Sequence, residues 1–167
     1  MGLFTRDIKT MDDLFTHQLQ DIYYAENQIA KSLPKMIEKA KSPELRQGFE
    51  MHLNQTNQQI QRLEQVFQHI GQTPKGIDCP AIDGILKEAN ETLSEIADEN
   101  VMDAALIASS QAIEHYEITR YGTLIAWANQ LGKTNVVGLF QQSLDEEKAS
   151  DQKLTQLAET QVNRRAA

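Results

Sequence analysis

The stretch Ser110-Gln111-Ala112-Ile113-Glu114-His115-Tyr116-Glu117-Ile118-Thr119-Arg120-Tyr121-Gly122-Thr123-Leu124 decides the fold. Positions 110, 114, 117, 121 and 124 recur in steps of three and four, the spacing that places residues on one face of an α-helix. Continued to Ala128 and Leu131, the face is the seam of a helix bundle. Two members of that seam are carboxylates where apolar residues are expected. A helical period with acids in its middle implies helices packed around a polar site.

The same reading extends in both directions. Asn100, with Asp103 three residues on, opens this third long helix, and Gly132 stops it. Thr134 or Asn135 caps the fourth, with the seam Val137, Phe140, Leu144, Glu147, Asp151, Leu154 and Ala158, ending before Asn163. Upstream, Thr10 and Asp13 form a capping box for the first helix. Its stripe is Phe15, Leu19, Ile22, Ile29, Leu33 and Met36, with Glu26 in the gap and Pro34 predicted to kink the last turns. Ser42-Pro43-Glu44 starts the second helix, with Ser as cap and Pro at the first helical position. Its seam, Leu45, Phe49, His52, Thr56, Gln59, Leu63, Val66 and Ile70, is apolar at both ends and polar between.

Short turns make each pair of helices an antiparallel hairpin, and the pairs are joined by a crossover of about 28 residues. Residues 71–79 read as a loop, and Pro80 to Ala97 as a short helix packed on the outside. The expected fold is all-α: a ferritin-like four-helix bundle of two antiparallel hairpins whose long crossover carries an extra short helix. It forms a single domain over residues 1–167 with its core at about 10–160.

Depth ties the polar residues together. Reflected about position 42, Glu26 lies level with Gln55 and Gln59; reflected about 133, Glu117 lies level with Glu147 and Asp151. Both levels fall roughly 24 Å from their turns at 1.5 Å per residue. One shared mid-bundle site is therefore expected, with Glu26, Glu114, Glu117, Glu147 and Asp151 as candidate metal ligands. Clustered carboxylates in a low dielectric need a cation or shared protons. A hard ion suits them, iron first and manganese as the other choice. The bland reading is that some acids turn aside and pair with neighbours such as Lys148 or Arg120. His52, on the second seam, and Gln55 are further candidates. His115 is next to the third seam, while His17 and His69 are expected to face solvent. Tyr121, one turn after Glu117, is the best candidate to hydrogen-bond a ligand.

Composition excludes other classes. A chain of 167 residues that is 40% hydrophobic can enclose one core, and its formal charge of −8 disfavours nucleic acid or an anionic membrane as partner. Cys79 alone cannot form an internal disulfide. No stretch approaches a membrane span, and the opening Met1 to Arg6 carries no apolar signal core, so a cytoplasmic location is expected.

The runs Leu19-Gln20-Asp21-Ile22-Tyr23-Tyr24-Ala25-Glu26, His52-Leu53-Asn54-Gln55-Thr56, Glu114-His115-Tyr116-Glu117-Ile118 with Tyr121-Gly122-Thr123-Leu124, and Asp145-Glu146-Glu147-Lys148 resemble the YciF/YciE type of bacterial ferritin-like stress protein. The resemblance spans about Thr10 to Ala158. It implies a ferritin-like bundle, commonly a homodimer, tied to stress and to a di-iron site, with Glu26, Glu114, Glu117 and Glu147 at the matching positions. The sequence departs from that pattern at Gln55, where related chains resemble His-Leu-x-Glu-Thr, and it lacks Glu-x-x-His pairs. A mononuclear centre is thus weighed beside a di-iron one. Two functions follow: a metal centre for oxygen, peroxide or iron handling, or a non-enzymatic helical dimer acting as a structural or interaction module around a vestigial site. The dimer is expected to use a self-complementary apolar patch on the crossover helix and the outer face of one hairpin, because Ile82, Ile85, Leu86, Leu93 and Ile96 exceed what one small bundle edge must cover.

Overall fold

The computed structural model describes residues 7–167; the opening read above for a signal segment lies outside them. Among the described residues six helices form: α1 (Met11–Lys39), α2 (Pro43–His69), α3 (Pro80–Glu95), α4 (Glu99–Gln130), α5 (Thr134–Leu157) and α6 (Asn163–Ala166), with a π turn, Ala158–Val162, between the last two. There is no strand among the described residues.

Local chemistry explains the starts. Thr10 accepts the amide of Asp13 while the Asp13 carboxylate takes the Thr10 amide, so both orphan donors of α1 are satisfied. Ser42 caps α2 ahead of Pro43. Gly71 and Gly132 end α2 and α4 at φ near +70°, a conformation a β-carbon resists. Pro34 lies inside α1, which stays helical to Lys39.

Three boundaries correct the sequence reading. The cap of α4 is Asp98, which accepts the amides of Asn100 and Val101. Asp103 instead reaches across the first hairpin's turn. Its two carboxylate oxygens accept the amides of Lys41 and Ser42, each at 2.8 Å. At the start of α5, Lys133 occupies the cap position without a side-chain bond, so neither Thr134 nor Asn135 caps it. The last helix does not end before Asn163 but passes through the π turn to Ala166.

The Asp103 bonds tie the two hairpins at one end. Asp103→Ala leaves the buried Ser42 amide and the partly buried Lys41 amide without their acceptor, and is expected to destabilise the fold by about 2–3 kcal/mol in urea unfolding. A loss below 0.5 kcal/mol, within the ordinary scatter of a surface change, would show that the clasp is replaced without cost.

The four long helices pack as a square: α1 lies beside α2 and α4, and α5 beside α2 and α4, while α3 covers the α1/α4 side. Apolar layers fill both ends. At one, Phe15, Phe67, Leu124, Ala128, Val136 and Phe140 are buried, with Phe15 edge-on to Phe140. At the other, Met36, Ala40, Leu45, Phe49, Leu106 and Leu154 close the core. Helix α4 is apolar on two faces because α3 roofs its outer side: Ile113 shares a crevice with Leu86, Ala89 and Leu93. Part of the apolar patch predicted on the crossover helix is covered there. Ile82 and Leu93 are buried, and Ile85, Leu86 and Ile96 pack against the same core.

Candidate metal centre

Between the two apolar layers, every long helix contributes a polar residue that is fully or almost fully buried. Glu26 comes from α1, His52 and Gln59 from α2, Glu114 and Glu117 from α4, and Glu147 from α5. One ligand atom from each of His52, Glu114, Glu117 and Glu147 lies within 4.8 Å of every other. Glu26 borders this group, its carboxyl facing the charges of Glu147 and Glu117.

Each carboxylate except Glu117 is held from one side. The Tyr121 hydroxyl donates to Glu26 Oε1, and the Ser150 hydroxyl donates to Glu114 Oε1 at 2.9 Å. The Gln59 amide donates to Glu147 Oε1 and, at 3.0 Å, to Glu146 Oε2. Arg62 clamps Glu146 through both guanidinium nitrogens, at 2.6 and 2.7 Å, so this cation is engaged outside the cluster. His52 Nε2 stands 3.5 Å from Glu114 Oε1 without a hydrogen bond between them.

The opposite sides of these groups are bare. Glu26 Oε2, Glu114 Oε2, both Glu117 oxygens, Glu147 Oε2 and both His52 nitrogens are buried without a hydrogen-bond partner, as are Gln55 Oε1 and Gln59 Oε1. All the oxygens are acceptors, and carboxylates have nothing to donate to each other unless they take up protons. Burial pushes the carboxyl groups of Glu26, Glu114 and Glu117 well above the usual carboxylate range, and the Glu147 charge pushes them further. The Tyr121 hydroxyl pulls Glu26 the other way, while its own acidity is suppressed by burial and by the Glu26 charge. A hard cation would satisfy the bare oxygens together, and an imidazole nitrogen beside them is compatible with iron or manganese. The donor set fits such an ion.

Asp151 is not brought into the group. It is partly exposed and engaged by Gln111 Nε2 at 2.9 Å and His115 Nε2 at 3.2 Å. Gln55 is half-buried, one turn after His52, with only its carbonyl oxygen enclosed. His17, His69 and His115 are exposed. Sequence reasoning placed Gln59 at the right depth but gave it no role; its seam position was the available signal. The Ser150 hydroxyl, one turn after Glu147, and the Arg62–Glu146 clamp carried no signal of their own.

The chain belongs to the DUF892 family, a domain of unknown function, which it matches over residues 10–167. It is 42% identical to Protein YciF of Escherichia coli strain K12 over 161 residues, 96% of this chain and 97% of that one. The crystal structure of the E. coli stress protein YciF superposes with a TM-score of 0.88 at 43% identity, covering 93% of this chain and 99% of the other. YcfI from Rhodopseudomonas palustris gives a TM-score of 0.89 at 58% identity, covering 92% and 98%. A protein from Xanthomonas campestris, at 21% identity and a TM-score of 0.70 over 90% and 92% of the two chains, shares the fold.

Proposed function

We propose that this member of the DUF892 family holds iron at mid-bundle, in a mononuclear or di-iron centre, for oxygen, peroxide or iron handling in a stress response. One observation carries the reading: buried carboxylate oxygens and imidazole nitrogens from α2, α4 and α5 stand without partners around one point, with the bare Glu26 Oε2 of α1 bordering them. Glu114, Glu117, Glu147 and His52 would hold the ion, and Glu26 would bind at its α1 side. Tyr121, Ser150 and Gln59 each occupy one carboxylate oxygen and so turn the other inward. Iron bound there would supply one-electron exchange to dioxygen or peroxide. The apolar layers above and below keep bulk water from the carboxylates and strengthen their hold on a cation.

The test is metal analysis of protein purified without chelator, with an anomalous map at the iron edge. The expected result is about one to two metal ions per chain beside Glu117 and Glu147, lost in Glu117→Ala. Metal at background level after anaerobic ferrous loading would overturn the reading.

Gln55 favours a second reading, a non-enzymatic helical dimer with a vestigial centre, because a neutral amide stands where the resemblance implies an acid. Its signature is a metal-free protein with the mass of a stable dimer in light scattering.

A further inference from the structure

Helix α3 roofs the α1/α4 side of the square and leaves the opposite side, between α2 and α5, to its own packing. That side carries a groove of about 140 Å³. Leu45, Phe49, Met51, Leu154 and Leu157 supply its apolar walls, and Gly48 leaves a gap in the α2 wall. Its mid-bundle end is formed by Gln55 and Ser150. Ser150 donates to Glu114, and Gln55 lies one turn from His52 with its carbonyl oxygen buried and unpartnered. The groove therefore ends one side chain short of the carboxylate cluster.

Its size and lining select the occupant. An apolar space of roughly 150 Å³ takes molecules such as benzene or xenon, and the α2/α5 groove is of that size, although it opens to solvent beside Met51. Glu44 and Lys153, both exposed, also line the groove and would hold a charged species at its solvent side, while past them a hydrated cation would shed water against leucine, phenylalanine and methionine. A small neutral molecule loses little there. We propose that the α2/α5 groove binds dioxygen and passes it to the Glu114 side of the cluster through the Gln55–Ser150 end. This inference rests on the reading of the cluster as a metal centre. Gln55 and Ser150 act as positioning residues at that opening.

Dioxygen is paramagnetic, so its binding can be read without any reaction. The probe is methyl relaxation in nuclear magnetic resonance of the whole metal-free protein under dioxygen pressure. Leu45 methyls are expected to relax faster than those of Leu33 and Leu63, which are as deeply buried in the core. A β-carbon at Gly48 meets nothing within 4 Å, and leucine is a better helix former than glycine, so Gly48→Leu is expected to fold. Together with Ala149→Leu on the facing wall, it fills the groove and should abolish the excess relaxation. In the same variant, oxidation of loaded ferrous iron by dioxygen should slow by roughly tenfold, the size of effect expected when an access step is obstructed. Anaerobic cobalt(II) binding should not change.

Equal relaxation at the groove and core methyls, or an excess that survives filling, overturns the binding. Unchanged ferrous oxidation in a variant that has lost the relaxation overturns the passage. Failure of the wild-type protein to bind cobalt(II) or ferrous iron is a separate result that overturns the metal reading, and delivery to a metal falls with it.

Discussion

Kept metal-free by chelator, the protein is expected to lose stability steadily as pH rises from about 5 to 8, the reverse of what paired surface carboxylates produce. Glu26, Glu114 and Glu117 are held well above the carboxylate range in the folded state by burial and by the Glu147 charge. In the unfolded chain they titrate near the ordinary value, about 4.3. Between those limits the native state binds more protons than the unfolded one, so stability is fully present below the unfolded pKa and declines above it. Each proton held only by the native state costs about 1.4 kcal/mol per pH unit. Glu117→Gln removes one of these groups and leaves an amide that can donate to a neighbouring carboxylate. It should flatten the slope and raise metal-free stability at pH 8 by about 2 kcal/mol, a fraction of the several kcal/mol that an uncompensated interior charge costs. Iron should invert the pattern in the wild type, because ligands must lose protons to bind and the gain grows with pH. Urea unfolding at several pH values, with chelator and with anaerobic ferrous iron, measures both slopes. A chelated protein whose stability rises with pH would mean that these carboxyl groups are not the burdened ones.

How much of this was legible in sequence depends on the range of the interaction. Thr10 with Asp13 and Ser42 before Pro43 are local signals, and their geometry follows from neighbours three residues away. Asp98 and Asp103 show where that fails. Both are acids near a helix start, and only the hairpin turn at Lys41 and Ser42, brought across the bundle, gives Asp103 a different task. The apolar residues of the crossover helix suggested an interface between copies because sequence alone does not show that α4 needs a roof. In the cluster, depth from the two turns placed Glu26, Glu117 and Glu147 at one level without reference to contacts. Depth does not give rotation. Asp151 follows Glu147 by four residues, the same step as Glu117 to Tyr121, but its carboxylate is engaged by Gln111 and His115 at the partly exposed edge. His115, one residue from Glu114, is turned by about 100° and faces water.

Rotation also governs what Gln55→Glu should do. Position 55 sits at the margin of the cluster, one turn from His52, with its carbonyl oxygen enclosed and the rest of the residue half-exposed. A carboxylate there adds negative charge to a group that already resists ionising, so the chelated variant should be less stable than wild type by about 1–2 kcal/mol at pH 7.5, within the range for an imperfectly compensated polar group. The partial exposure limits the loss. With ferrous iron, the same charge becomes an added anionic ligand on the α2 side, which otherwise offers only His52 and neutral amides. Affinity should rise by about tenfold, near 1.4 kcal/mol. Because metal binds only the folded state, the affinity gain appears as extra stabilisation at saturating iron. The two effects have opposite signs, so the metal-dependent rise in melting temperature should be larger in the variant even though its metal-free melting temperature is lower. Anaerobic thermal unfolding of both proteins with chelator and with ferrous iron separates them. A variant that is destabilised by the same amount in both conditions would place residue 55 outside the reach of the ion, leaving His52 as the α2 ligand without support.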